Sequence, residues 1–142
     1  FGTGYPVRMP VVDLVEIGTG GGSLVRVDAV GHLHVGPQSA GADLGLACYG
    51  RGGSGATITD ANLVLGRLCS DHFAGGQIRL RAKAAYSVIE QQVASRLSMN
   101  IEQAAEGIVA LANAQMVRMA GSWVHASQQM APMSSLANSV AE

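Results

Sequence analysis

The chain has 142 residues and a net charge of −1, enough for one domain with a modest core. The balanced charge gives no basis for a general nucleic-acid surface or an acidic tail. No apolar run approaches the roughly 20 residues of a membrane-spanning helix, and no basic-then-apolar leader opens the chain. Charged residues make up only 13% and aromatics only 4%, which suits a piece that buries part of its surface against a larger protein. A start without methionine likewise hints at a fragment.

Pro6 and Pro10 keep the lead-in extended. Val11-Val12-Asp13-Leu14-Val15-Glu16-Ile17 is apolar and β-branched, so it reads as a strand. It delivers Gly18-Thr19-Gly20-Gly21-Gly22-Ser23, whose glycines leave backbone N–H groups free to approach a ligand or another chain. Leu24-Val25-Arg26-Val27-Asp28 then alternates apolar and charged residues as a second strand. Strand, glycine loop, strand excludes a dinucleotide fingerprint. That motif needs a third glycine where Ser23 stands, then a helix. No Gly-Lys-Ser/Thr occurs, which excludes a lysine-bearing phosphate loop.

Ala29-Val30-Gly31 makes a turn and His32-Leu33-His34-Val35-Gly36 alternates again, so residues 24–36 read as a β-hairpin. His32 and His34 share a strand face, and a solvated face is favoured over a metal pair because no third ligand is evident nearby. Residues 37–57 form a long glycine-rich loop, with apolar inserts that argue against plain disorder. Within it Arg51, between flexible backbone segments, can meet a phosphate or carboxylate, or simply make a surface salt bridge. Cys48 and Cys69 show neither metal spacing nor a disulfide framework, which points to a reducing cytoplasm.

Thr57-Ile58-Thr59-Asp60 starts a helix in which Thr59 or Asp60 can cap. Asp60 can alternatively handle a metal or water beside the glycine loops. A break over residues 69–77 precedes two amphipathic helices. The first carries the stripe Ala85, Val88, Ile89, Val93, Ala94 and Leu97. Asn100 and Gln103 stand in capping-box spacing before the second. Its stripe runs Ile101, Ala104, Ala105, Ile108, Leu111, Ala112, Met116 and Met119, with both methionines as core filler. The short connection implies an antiparallel helical pair. Beyond Gly121 the periodic signal fades into a loosely held tail. The fold class expected is therefore α+β: a small sheet or hairpin, a glycine-rich loop and about three helices.

Several ordered segments resemble the hydantoinase A/5-oxoprolinase family. They are Val15-Glu16-Ile17-Gly18-Thr19-Gly20-Gly21-Gly22-Ser23, Val35-Gly36-Pro37-Gln38-Ser39-Ala40-Gly41-Ala42 and Ala47-Cys48-Tyr49-Gly50-Arg51-Gly52-Gly53. Thr57-Ile58-Thr59-Asp60-Ala61-Asn62, Leu65-Gly66-Arg67-Leu68, Phe73-Ala74-Gly75-Gly76 and Ala112-Asn113-Ala114-Gln115-Met116 continue the likeness. The resemblance implies part of an actin-like ATPase fold, akin to sugar kinases and Hsp70, and ATP with Mg as cofactors. It further implies opening of a small cyclic amide, a hydantoin or 5-oxoproline, by phosphorylation of the amide oxygen.

Residues 1–119 then form a partial family domain: 1–36 the β part, 37–57 the loop and 58–119 the helical part. Residues 120–142 diverge. The family's acidic phosphate motifs and its Phe-Gly-Gly-Ala-Gly-Pro segment are missing from this sequence, so the chain alone is expected to be inactive, and no catalytic base is assigned. Leu44 and Leu46 stand where the family has prolines. Gly18, Gly20, Gly21, Gly22 and Ser23 are expected at the cleft, with Ser39, Gly41, Arg51 and Asp60 in the neighbouring loops. The implied partners are the remaining segments of the parent protein, a hydantoinase B-like subunit and further copies of the chain, without nucleic acid or membrane. Competing readings are a scaffold or oligomerisation module, part of a related ATP-dependent carboxylase and, more remotely, an enzyme using Cys48 as nucleophile.

Overall fold

In the computed structural model, residues 18–41 and 45–130 are described; the strand expected over residues 11–17 lies outside them. The alternation after the glycine loop becomes strand β1 (Ser23–Val27), paired antiparallel with β2 (Leu33–Ser39). Val25 faces Val35 and Val27 faces Leu33, while Arg26 pairs with His34. The valines turn inward and Arg26 outward, as a two-residue period requires. A register irregularity between Ser23 and Val25 lets Ser23 pair with Ser39.

β2 therefore runs three residues past the expected hairpin end at Gly36, taking in Pro37, Gln38 and Ser39. Proline lacks a ladder donor, but the end of a two-stranded sheet tolerates that loss. The turn is held by Asp28. One carboxylate oxygen accepts from the N–H groups of Val30 (3.0 Å) and His32 (2.8 Å), and the other from His34 Nε2 (2.9 Å). The His34 hydrogen bond, then the His32 amide, hold this carboxyl well below the usual carboxylate range. The two histidines thus flank a carboxylate that the spacing argument overlooked, and His32 precedes β2 rather than sharing its face.

The other edge of β1 is covered by the end of the long loop. Val25 N donates to Ala56 O at 2.8 Å, and Leu24 bridges to Thr57. That loop has structure of its own: a single helical turn at Ala47–Tyr49 buries Cys48 completely. Helix α1 (Ile58–Val64) follows. Its cap is Thr57, two residues before Thr59 and three before Asp60, the caps expected. Thr57 Oγ1 accepts from Asp60 N, and the Asp60 carboxylate reaches back to Thr57 N. Six of the seven α1 residues are buried, so this short helix is the hub of the core.

Helix α2 (Ala82–Ile89) continues through a wider π-type turn at Glu90–Ala94 and a last turn at Ser95–Leu97. Of its expected stripe, Ala85, Val88, Ile89, Val93 and Ala94 are buried and Leu97 is half-buried. Gln92, inside the wide turn, accepts from Ala56 N and donates to Ser54 O, fastening α2 to the segment beside β1.

Helix α3 (Ile101–Met130) opens with the anticipated box. Asn100 Oδ1 accepts from Gln103 N at 2.7 Å, and Gln103 Oε1 accepts from Asn100 N at 3.4 Å. Ala104, Ala105, Ile108, Val109 and Ala112 form its buried face, which packs mainly on α1 rather than on the preceding helix. Past Ala112, among the described residues, no side chain of this helix belongs to the buried core. Met116 is half-buried and Met119 exposed, so neither fills the core. The helix also runs on through Gly121 to Met130, where a loosely held tail was expected.

Candidate functional site

The glycine loop is a closed turn gripped from several sides. Gly20 N donates to Ser23 Oγ and Ser23 N donates to Gly20 O, both at 2.9 Å. The Gly21 carbonyl accepts two hydrogen bonds at 3.0 Å, from the amide and the hydroxyl of Thr59 on α1. The Gly22 carbonyl accepts from Ala40 N at 2.9 Å and from Ser39 Oγ at 3.3 Å. From the helical side, Thr19 Oγ1 donates to Gln115 Oε1 at 3.0 Å, and Gln115 Nε2 donates to Val35 O at 3.3 Å. The loop is therefore preorganised by α1, β2 and α3 together.

Its front is open. One opening of about 350 Å³ is lined by Gly18, Thr19, Gly20, Gly22, Ser23, Pro37 and Ser39. A second, about 360 Å³, shares Gly18, Thr19 and Pro37 and adds Val35, Gln115, Arg118 and Met119. Among the described residues no carboxylate lines either opening. The walls mix glycine backbone, the Thr19, Ser23 and Ser39 hydroxyls and the Gln115 amide with the apolar Val35, Pro37 and Met119, and the backbone N–H and hydroxyl groups can hold anionic oxygens.

Glycine is required at one point for close approach rather than for turning. A Cβ on Gly21 would lie 2.7 Å from Thr59 Oγ1, closer than packed atoms come. At Gly20 no atom of the described residues stands within 4 Å of a Cβ position. The two glycines thus differ: Gly21 anchors the loop from behind, while Gly20 faces the opening.

Of the residues singled out from sequence, Gly18, Gly20, Gly22, Ser23 and Ser39 come together at the cleft. Gly41 adjoins it, its N–H 3.5 Å from Ser39 Oγ. Arg51 is exposed and lines neither opening. Asp60 is fully buried, accepting from Cys48 N at 3.0 Å, Thr57 N at 3.0 Å and Thr57 Oγ1 at 2.6 Å. Its carboxylate joins the 47–49 turn to the start of α1. The Cys48 thiol is pushed far above its ordinary range, by burial first and then by Asp60, so it stays protonated and no nucleophile forms there.

Sequence reading missed Thr59 as the loop's anchor and Gln115 and Arg118 as contributors from α3. Only Gln115 had a signal, its place in the Ala112-Asn113-Ala114-Gln115-Met116 motif. Among the described residues no group of three His, Cys, Asp or Glu side chains is placed to hold a metal ion, and no helix is long and apolar enough to cross a membrane.

The hydantoinase/oxoprolinase family model matches residues 2–127. The caprolactamase alpha subunit of Pseudomonas jessenii is 45% identical over 113 residues, covering 80% of this chain and 16% of that one. The crystal structure of the ATP-dependent caprolactamase from Pseudomonas jessenii superposes with a TM-score of 0.64 at 48% identity, over 70% of this chain and 14% of the other. A nucleotide-free structure of acetone carboxylase, an enzyme of ATP-dependent acetone carboxylation, superposes with a TM-score of 0.61 at 35% identity, over 66% and 13%. The chain thus spans a small part of each relative's length.

Proposed function

The chain belongs to the hydantoinase/oxoprolinase family, and on that premise we propose that its glycine loop forms one wall of the nucleotide cleft in a longer ATP-dependent enzyme that opens cyclic amides. The observation that carries this reading is the loop's two-sided construction: gripped from behind by Thr59 and Gln115, open in front at Gly18 and Gly20. Donors held in place before the ligand arrives lose nothing to reorganisation when charge develops.

Within this reading the residues divide the work. Backbone groups of residues 18–22, with the Ser23 and Ser39 hydroxyls nearby, hold phosphoryl oxygens. Thr59, Gln115 and Asp60 keep that wall in place, and Gly41 extends it. Arg51 meets solvent or another segment. When bound, ATP supplies a phosphoryl group for the amide oxygen, which turns an unreactive carbonyl into an electrophile with a good leaving group. Among the described residues the lining holds no carboxylate for Mg²⁺, whose protein ligands we assign to other segments, within an actin-like two-lobed clamp. The enzyme works in the cytoplasm with a second subunit, as the "subunit alpha" of the caprolactamase name suggests for that relative.

The likeness to acetone carboxylase favours a second reading, in which the same cleft activates a carboxylation. ATP turnover by the full-length enzyme that responds to a cyclic amide selects the first reading; turnover that responds to bicarbonate selects the second.

The cleft itself is tested by Gly20→Val in the full-length enzyme. The substitution places its side chain in open space, so thermal unfolding is expected at the wild-type temperature. ATP affinity is expected to fall about tenfold or more, through blocked access to the backbone N–H donors. Wild-type ATP affinity in a folded Gly20→Val enzyme would refute the cleft.

A further inference from the structure

Building on that cleft, we propose that Arg118 supplies its cation and pairs with an anionic oxygen of the ligand, phosphoryl or carboxylate. Arg118 lines the same opening as Gly18, Thr19 and Pro37. It stands three residues after Gln115, so the two side chains share one face of α3. That face is fixed to the loop by both ends of the Gln115 amide, which accepts from Thr19 Oγ1 and donates to Val35 O.

Charge points the same way. Among the described residues that line the two openings, Arg118 is the charged side chain and no Asp or Glu accompanies it. Among the described residues it makes no ion pair; those that form involve Asp28 and Asp71. A guanidinium carries five donors and no acceptor, and its planar fork matches two oxygens of a phosphate or carboxylate. Set beside glycine backbone, Thr19, Gln115 and the apolar Val35, Pro37 and Met119, it makes that opening electropositive among the described residues. An oxyanion completes that arrangement. Arg51, the cation that the sequence brought forward, is not placed to do so.

The experiment uses the full-length enzyme as wild type, Arg118→Gln, Arg118→Lys and Gly20→Val. Dissociation constants are measured for ATP, inorganic pyrophosphate, adenosine and 5-oxoproline. Arg118 is exposed, so unfolding temperatures are expected to match the wild type. If the partner is a phosphoryl group, Arg118→Gln weakens ATP and pyrophosphate about tenfold or more and leaves adenosine unchanged. If it is a substrate carboxylate, the loss appears with 5-oxoproline and not with ATP. In either case Arg118→Lys recovers part of the loss, and the affected affinity depends less on salt in Arg118→Gln than in wild type. Wild-type affinities for every probe in Arg118→Gln overturn the inference. If Gly20→Val still weakens ATP in that experiment, the cleft stands and only the role of Arg118 falls; if neither variant changes binding, both fall.

Discussion

Asp60→Ala is expected to destabilise the fold by about 4 kcal/mol, a large share of the 5–15 kcal/mol typical of a domain. The carboxylate is fully buried and accepts from two backbone amides, Cys48 N and Thr57 N, and from the Thr57 hydroxyl. Alanine leaves those amides buried and without their acceptor, at about 1–3 kcal/mol each. It also removes half of the capping box that starts α1, worth about 1 kcal/mol. Because α1 is the hub on which α2 and α3 pack, the loss is expected to appear as global rather than local unfolding. Urea denaturation checks it: the midpoint falls while the slope stays constant. Asp60→Asn keeps one acceptor oxygen and is expected to fall between the two. A midpoint for Asp60→Ala within experimental error of wild type would show that Asp60 does not hold this junction.

Gly21→Val is expected to cost the full-length enzyme about a hundredfold in substrate-dependent ATP turnover, the scale set by displacing a positioning group by an ångström. A side chain there collides with Thr59 Oγ1, which must rotate away and give up its hydrogen bond to the Gly21 carbonyl. The turn then loses its grip on α1, and the amides in front of it shift. A compensating change separates this cause from general damage. In a Thr59→Ala background the obstructing oxygen is gone, so Gly21→Ala is expected to cost less there than in the wild type. Equal costs in the two backgrounds would mean that Thr59 is not what limits residue 21. The contrast with Gly20, where the added group meets open space, makes the prediction specific to the anchor.

Periodic features were legible in the sequence. The alternation of Val25, Arg26 and Val27 gave β1, and the Asn100–Gln103 spacing gave the start of α3. What was not legible depends on distant partners. The stripe on α3 was drawn to Met119 because helical period alone has no end, whereas the seven-residue α1 that it packs on covers the face only to about Ala112. Thr57 lost the cap to Thr59 and Asp60 because the apolar run begins several residues later. Its three-residue spacing to Asp60 was the overlooked sign. Pro37 between two glycine-containing stretches read as loop, although the end of a two-stranded sheet can hold it.

The site divides along the same line. Glycine clustering revealed the loop, but not that Gly21 anchors it while Gly20 faces the opening. Asp60 was legible as a cap and as a site candidate; the contacts place it in the capping box and against Cys48 N, fully buried. Gln115 meets Thr19 across 96 residues of chain, and no local pattern announces such a contact. Arg118, on the same helix face, was not singled out from the sequence at all.

The central claim is that residues 18–22 present their backbone to a bound nucleotide. It is tested most directly by a crystal structure of the full-length enzyme with a non-hydrolysable ATP analogue. The expected result is phosphoryl oxygens within hydrogen-bond distance of main-chain amides in that turn, with the Thr59–Gly21 and Gln115–Thr19 bonds retained. A nucleotide seated elsewhere, with the front of the turn covered by another part of the polypeptide, would contradict it.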